Sequence, residues 1–480
     1  MAISGYEHLA SVASTLNGSR SLIIARDCFA SLAMTNMGTR NTDFMKNKIN
    51  IGLIGLGTVG GGVARLLREN ADVIERRLGV PVVLKRAADL DASRAKALKL
   101  GKGIYTKDAH EVIADPDVDV VVELIGGYKP AKKFILEALR LGKPVVTANK
   151  ALLAMHGEEI YSAADKAGVP VGFEASVAGG IPIIGALKQG LAANDVQSIY
   201  GIINGTCNYI LTKMTDEGLD FEEVLKEAQA LGYAEADPTF DVEGIDPAHK
   251  LAVLANIAYG TPVKFSDIYT EGISAIMPED IQRARELGFR IKLLAIAKVV
   301  DGEIEARVHP TMVPEGHLIA KVDGVFNAVY VEGDALGPAM FYGRGAGDMP
   351  TASAVVSDVM DIARDILSGA SGRSPILAFT KKGRRRINIR PIGQVRCCYY
   401  LRFAALDRPG VLSKIAGILG RHDISIASVI QQGRKQRGAV PIVMMTHEAV
   451  EKNMRAALAK VDSLDVIADK TVVIRVEGGR

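Results

Sequence analysis

From Ile49 onward the apolar residues come in short unbroken runs, "INIGLIGLG", "VPVVLKRAAD", "VDVVVELIGG", "KPVVTANK" and "VPVGFEAS", separated by stretches of helix length. Runs that do not alternate with polar residues predict strands buried on both faces, hence a parallel sheet covered by helices on either side. One intervening segment, "PAKKFILEALRLGKP", places Phe134, Ile135, Ala138, Leu139 and Leu141 at helical spacing and is stopped by Gly142 and Pro144. The expectation over residues 46–175 is a doubly wound α/β unit of Rossmann type.

The rhythm changes after residue 176. "IYGIINGTCNYIL" and "LLAIAKVVDGEIEARVHPTMV" read as β-rich runs among longer polar loops, predicting a second, α+β domain over 176–344 that faces substrate and dimerises. "GRGAGDMPTASAVVSDVMDIARDIL", about 345–370, is expected to complete the first unit. Residues 371–396 read as a linker, and the run "KKGRRRINIR" within it reads as solvated chain before it reads as a phosphate site. The last segment, 397–480, has strands and helices in the order βαββαβ. Val411, Leu412, Ile415, Ile418 and Leu419 mark one helix, and Val450, Met454, Leu458 and Val461 the other. That order predicts a ferredoxin-like module.

Composition narrows the class. The chain of 480 residues, 48% hydrophobic and 24% charged, is long enough for several cores. Its 58 basic and 55 acidic residues leave a net charge of +3, too little to imply nucleic acid or an anionic membrane. No apolar run approaches the roughly 20 residues of a membrane span. Cys28, Cys207, Cys397 and Cys398 have neither metal-ligand spacing nor a disulfide pattern, which suits a reducing cytoplasm. Residues 1–45 are expected to be a poorly ordered extension. A targeting segment is the alternative, suggested by Arg20, Arg26 and Arg40 and opposed by Glu7 and Asp27.

Two stretches carry candidate chemistry. Gly55, Gly57 and Gly60 form G-x-G-x-x-G between a strand and a helix, the pattern that lets a pyrophosphate approach the free amides around Thr58 and Val59. NAD and NADP stay open. Asp89 at the end of the second strand favours a ribose hydroxyl, whereas Lys85, Arg86 and Arg94 beside it favour a 2′-phosphate. The second stretch gathers Glu235, Asp237, Asp241, Glu243 and Asp246 before a single base, Lys250. Asp246-Pro247 reads as an N-cap followed by the first helical residue, with the helix running to Gly260 and Lys250 in or near its first turn. The helix dipole there favours loss of the lysine proton, while the carboxylates oppose it. A cap with a solvated acidic loop is the plainer alternative. A calcium loop fails, because Val242 stands where glycine is required. Cys207 reads as a small core residue rather than a nucleophile.

The motifs "GLGTVG", "VVELIGG", "VTANKALLA", "FEASVAGGIPII", "INGTCNYIL", "EAQALGYAEADPTFDVEGIDPAHKLAVLA" and "GRGAGDMPTASAVVSD" resemble, in order, those of homoserine dehydrogenases. The resemblance implies NAD(P)-dependent interconversion of L-aspartate 4-semialdehyde and L-homoserine, in threonine, methionine and isoleucine biosynthesis. It implies a proton donor at Lys250 supported by Asp246, and Lys150 beside the nicotinamide and substrate, sharing the acid/base role. Glu235 and Asp241 would hold the amino-acid end of the substrate, and Gly345 would join the glycine turn against the cofactor. A sodium site would be built from Glu174 with backbone oxygens of Val177, Gly179 and Ile181. "LDRPGVLSKIAGILGRHDISIASV" resembles an ACT domain, with Asp407, Pro409, Gly410 and Leu412 in its first loop. This implies an amino-acid effector, threonine first, and a homodimer or homotetramer. The alternatives are that the module only dimerises the chain, or that the whole is a non-catalytic sensor of dinucleotide and amino acid. Removal of everything after Gly393 is expected to spare catalysis and abolish threonine sensitivity.

Overall fold

The computed structural model describes residues 46–370, 372–431 and 439–478; the extension expected over 1–45 lies outside them. Strands β1 (Ile49–Ile54), β2 (Val82–Ala88), β3 (Tyr105–Thr106), β4 (Val120–Glu123), β5 (Val145–Thr147) and β6 (Val171–Gly172) form one sheet in the order β3-β2-β1-β4-β5-β6. Every pairing is parallel, and β1, β4 and β5 are buried along their whole length. This is the Rossmann order, and the unalternating runs have become strands covered on both faces. The helix Lys129–Arg140 buries Ile135, Ala138 and Leu139 but leaves Leu141, its C-cap, 55% exposed.

The helix Asp348–Ser368 returns to pack on the first helix, Thr58–Glu69, sharing a core that joins Val63 and Leu67 to Ala352, Val355 and Val359. Gly62 makes the approach possible. A Cβ there would stand 2.8 Å from the Asp348 carbonyl oxygen.

The second sheet contains β7 (Val196–Ile202), β8 (Tyr269–Thr270), β9 (Phe289–Val300), β10 (Glu303–Pro314), β11 (Phe326–Gly333) and β12 (Gly337–Arg344). β9 and β10 are a hairpin whose two turn residues, Asp301 and Gly302, both have positive φ, as a tight two-residue connection requires. The run "INGTCNYIL", read above as β-rich, is instead mostly the helix Gly205–Glu217. Asn204 caps it, its Oδ1 accepting the Cys207 amide at 2.8 Å. Cys207, Ile210, Leu211 and Met214 then fall on the buried face at helical spacing.

The C-terminal module contains β13 (Arg396–Leu406), β14 (Ile426–Gln431), β15 (Ala439–Thr446), β16 (Ala449–Val450) and β17 (Ile467–Val476), with helices Val411–Arg421 and Glu451–Val461. Its main order, β17-β13-β15-β14, is ferredoxin-like, and its core packs Tyr399, Leu401 and Phe403 against Ile415, Leu419 and Met454. The module is not a separate body on a tether. β17 pairs in parallel with β10, Thr311 opposite Arg475 and Met312 opposite Val476, so the two sheets are one of eleven strands. Nor does the basic segment before it hang free. Arg385 and Arg390 donate backbone bonds to Gly260 and Ile304, and the Arg390 side chain, 10% exposed, reaches Glu303 at 3.0 Å and Asp301 at 3.1 Å.

A buried polar stripe explains the join. Glu305, Arg307, His309 and Thr311 alternate on β10, each 2% exposed or less. Arg307 donates to Glu477 at 2.6 and 2.9 Å and to Glu305 at 3.1 Å; Lys298 and Tyr200 reach the other Glu477 oxygen, both at 3.3 Å. Buried charge of this kind demands a partner, and the chain beyond β17 provides it.

Candidate active site

The glycine turn leads from β1 into the Thr58–Glu69 helix. Gly55 has φ +101°, and a Cβ on Gly60 would lie 1.9 Å from the Gly55 carbonyl oxygen, so these two glycines close the turn. Gly57 is open, with only an Arg94 nitrogen 3.6 Å from where its Cβ would be. Thr58 is exposed at the helix start and Val59 partly so, which leaves first-turn amides free for a pyrophosphate.

Asp89 does not reach outward from this turn. Its Oδ2 accepts the Leu56 amide at 2.6 Å and lies 3.2 Å from Arg94, while Oδ1 accepts the Asp91 amide at 2.8 Å. Lys85 and Arg86 are engaged by Asp117 and Asp115, at 2.7 and 2.9 Å. Arg94, half exposed and itself paired with Asp89 at 3.2 Å and Asp91 at 3.5 Å, is the cation beside the glycine turn.

At the carboxyl edge of the same sheet, Lys150 opens the helix Lys150–Ala167 directly after β5. It meets the helix Ile245–Tyr259 of the second domain, where Asp246 and Lys250 share one face. Asp246 Oδ1 lies 2.6 Å from the Lys150 ammonium and Oδ2 lies 2.7 Å from that of Lys250. Asp246 is therefore not the N-cap that the sequence suggested. The cap is Gly244, at φ +77°, and the carboxylate is free of capping because it faces two lysines. Burial works to raise the Asp246 pKa, but the two ammonium groups hold it well below the usual carboxylate range. Burial pushes the Lys250 pKa down, Lys150 acts in the same sense and Asp246 opposes both.

Lys250 Nζ also donates to the Ile203 carbonyl at 2.7 Å. An ammonium has three N–H groups, so with Asp246 and Ile203 satisfied, one is left. Asn204 bridges the acids, its Nδ2 lying 2.7 Å from Asp241 Oδ1 and 2.8 Å from Asp246 Oδ2. Burial and the neighbouring Asp246 raise the Asp241 pKa, with Asn204 and the lysines opposing. Cys207 is fully buried and donates to the Asp241 carbonyl at 3.2 Å; burial pushes its thiol well up, so it is no thiolate. Lys150, Asp241, Asp246 and Lys250 are thus brought together, whereas Glu235 stands exposed on the preceding loop.

Sequence reasoning missed Asn204 and Glu123. "INGTC" contained the first as an Asn at a helix start. Glu123, wholly buried at the end of β4, accepts the Thr147 hydroxyl at 2.8 Å and the Ile125 amide at 2.9 Å. The Thr147 hydroxyl in turn accepts the Asn149 amide at 3.1 Å, and Asn149 caps the Lys150 helix through Leu152. Burial raises the Glu123 pKa against these bonds. Its only sequence signal was an acid closing an apolar run.

In the turn expected to hold sodium, both Glu174 oxygens accept amides, of Ile184 at 2.8 Å and Gly185 at 2.6 Å, and Ile181 oxygen accepts from Ile183 at 2.8 Å. Gly345 presses on this turn: a Cβ on Gly179 would lie 2.4 Å from its carbonyl oxygen. No cluster of three or more His, Cys, Asp or Glu side chains suited to a metal occurs among the described residues. In the C-terminal module, Asp407 is partly exposed and Pro409, Gly410 and Leu412 are exposed, Gly410 capping the Val411–Arg421 helix with φ +87°.

A dinucleotide turn on a Rossmann sheet, with a paired lysine from a second domain at the sheet's carboxyl edge, defines a nicotinamide-dependent oxidoreductase. Family models agree: residues 55–174 match the homoserine dehydrogenase NAD-binding domain, 182–360 the homoserine dehydrogenase domain and 399–466 the ACT domain. The chain is 50% identical over 429 residues to a homoserine dehydrogenase of Neisseria gonorrhoeae, covering 89% of this chain and 98% of that one. It is 48% identical over 431 residues to that of Pseudomonas aeruginosa, covering 89% and 99%. A crystal structure of a homoserine dehydrogenase from Thiobacillus denitrificans superposes with a TM-score of 0.85 at 52% identity, covering 90% and 98%. The chain belongs to the homoserine dehydrogenase family and carries a C-terminal ACT domain. No helix among the described residues is long and apolar enough to cross a membrane.

Proposed function

We propose that the chain interconverts L-aspartate 4-semialdehyde and L-homoserine, with Lys250 as the group that gives and takes the proton at the reacting oxygen. The observation that carries this is the buried Lys250 ammonium, held by Asp246 and Ile203 with one N–H to spare. Bound reduced nicotinamide supplies the hydride; the chain's residues hold, orient and protonate. Lys150, its ammonium 2.6 Å from the other Asp246 oxygen and its side chain part-exposed, shares that acid/base role in this reading. Asp241 keeps Oδ2 for the substrate ammonium, with Glu235 as a second carboxylate from the loop. In this reading, Asp241→Asn and Glu235→Gln raise the KM for homoserine, each by about 10-fold or more, the value of one charge-assisted bond, with a smaller change in kcat. An unchanged KM in either variant removes that residue from the substrate site.

The pH dependence has a definite sign. Homoserine oxidation needs Lys250 without its proton, so the rate rises with pH up to a limb below the ordinary lysine value, because burial lowers that pKa. Asp246 works to keep the proton on. Asp246→Asn should therefore move the limb to lower pH, read from kcat/KM profiles for homoserine; a limb that stays or rises would reject the coupling.

We further propose a preference for NADP, since both Asp89 oxygens are occupied and half-exposed Arg94, held by Asp89 at 3.2 Å and Asp91 at 3.5 Å, stands beside the glycine turn where a 2′-phosphate can meet it. Arg94→Ala should raise the KM for NADPH roughly 10- to 100-fold, the value of one charged contact, and that for NADH much less. Equal effects on both cofactors would overturn it. The sodium ligands fit in part. The Val177 and Gly179 carbonyls accept no hydrogen bond among the described residues, while Glu174 and Ile181 are engaged, and no chemical step is assigned to a cation. Placement in threonine, methionine and isoleucine biosynthesis, and threonine feedback through the ACT domain, complete the proposal.

A further inference from the structure

A cavity of about 600 Å³ lies where the ACT domain meets the second sheet, away from the Asp407–Leu412 loop, none of whose residues line it. Its walls come from the stretch after β8, from the Glu451–Val461 helix and from β17. Five consecutive β17 residues, Asp469 to Val473, line it, which a strand does along its edge. That edge is open because β10 pairs with β17 only at Arg475 and Val476. Ile276, Met454 and Leu458 give the cavity an apolar floor.

The charges around it balance. Arg402, Arg455, Lys470 and Arg475 supply four cations, and Glu243, Glu271, Glu451 and Asp469 four carboxylates. Several are already committed: Arg475 to Glu451 at 2.6 Å and Glu271 at 2.7 Å, and Arg402 to Asp280 at 2.6 Å. Lys470 and Asp469 are exposed. Arg455, half exposed, is held among the described residues only through Nε by Glu451 at 2.8 Å, with its guanidinium 5.1 Å from the centre of the Tyr269 ring. Among the described residues the Glu243 side chain accepts only the Ser274 hydroxyl, at 2.8 Å. A lining with available groups of both signs and no net charge suits a ligand that is itself neutral overall and charged at both ends.

We propose that this cavity binds a small zwitterionic amino acid, its carboxylate toward Arg455 and Lys470 and its ammonium toward Glu243 and Asp469, and that occupancy acts on the catalytic acids. The proposal rests on the reading of the chain as an effector-controlled dehydrogenase and places the effector at the domain junction. The connection is short. Ile273 donates its amide to the Val242 carbonyl at 2.8 Å, and a Cβ on Gly272 would lie 2.4 Å from that same oxygen, so this stretch and the Asp241–Asp246 segment cannot move independently. A ligand ammonium that draws Glu243 from Ser274 pulls on the residues between Asp241 and Gly244. Control follows if the ligand binds one position of that segment more tightly than the other.

The test uses the full chain, L-threonine as probe, calorimetric binding, and the ratio of inhibited to uninhibited homoserine oxidation. Arg455→Ala removes the carboxylate anchor while Glu451 keeps Arg475, and Ala275→Phe fills the rim without changing charge. Both should weaken threonine binding and raise its half-inhibiting concentration by 10-fold or more, while Asp407→Ala keeps the wild-type response. Wild-type affinity in the two junction variants, or loss of response in Asp407→Ala alone, overturns the proposal. Wild-type chain that turns over homoserine but shows neither heat nor inhibition with threonine overturns it too, leaving the catalytic reading intact; absence of turnover strikes that reading instead.

Discussion

Lys250→Ala is expected to lower turnover in both directions by about 10²–10⁴-fold, the usual worth of a positioned general acid or base, with dinucleotide affinity largely unchanged. At 1.36 kcal/mol per decade this is roughly 3–5 kcal/mol of transition-state stabilisation. The loss should not be a folding defect. Asp246 keeps Lys150 at 2.6 Å and Asn204 at 2.8 Å, so no carboxylate is stranded, and the main debt is the Ile203 carbonyl, about 1–3 kcal/mol. Lys250→Arg separates charge from proton transfer, because a guanidinium can pair with Asp246 but does not give up its proton. It should be nearly as inactive as alanine. Turnover above a tenth of wild type in either variant, measured by nicotinamide absorbance, would remove Lys250 from the acid/base role.

Deletion of everything after Gly393 is expected to destabilise the remaining domains, not to yield a clean, insensitive enzyme as the sequence suggested. The cut removes Glu477 from Arg307, which is 1% exposed, and Arg402 and Tyr400 from Asp280, which is 0% exposed. Stripping one partner from a buried ion pair costs about 3–5 kcal/mol, less here to the extent that water reaches the opened groups. Tyr400, Val443, Ile474 and Val476 also leave the main core. Against a total stability of about 5–15 kcal/mol, the shortened chain should melt roughly 10 °C lower or fail to fold. Glu477→Gln in the intact chain should show the same trend more mildly. A truncated protein with the wild-type melting temperature would refute the argument.

The contrast between these two sites marks what could be read from residues alone. β1, β4 and β5 were legible because a strand covered on both faces must be apolar throughout, and that is a local property. The C-terminal βαββαβ order was legible for the same reason, each helix carrying its own periodic face. β10 was not. Glu305, Arg307, His309 and Thr311 alternate like the solvent side of a strand, and nothing nearby in the chain says that Glu477 will cover them. The acid-rich stretch announced its chemistry, yet its geometry depended on Lys150 and Asn204, brought in from other elements. "IYGIINGTCNYIL" was a strand as far as Ile202 and misled beyond it, because β-branched residues outweighed the Asn204 cap, a weak local signal that the tertiary structure made decisive.

The shared eleven-stranded sheet also has a consequence for how the chain is made. Synthesis proceeds from the N-terminus, and domains generally begin to fold in that order. β10 can pair with β9 and, at Arg307 and Val308, with β8 as it is made, but Thr311 and Met312 cannot acquire β17, nor Arg307 the Glu477 carboxylate, until Arg475 to Glu477 have emerged from the ribosome. That part of the β10 edge therefore waits for its strand through roughly the last third of translation. A nascent chain long enough to contain every proposed catalytic residue is still an incomplete enzyme, and a ribosome stalled anywhere in the regulatory segment displays an open strand to its neighbours.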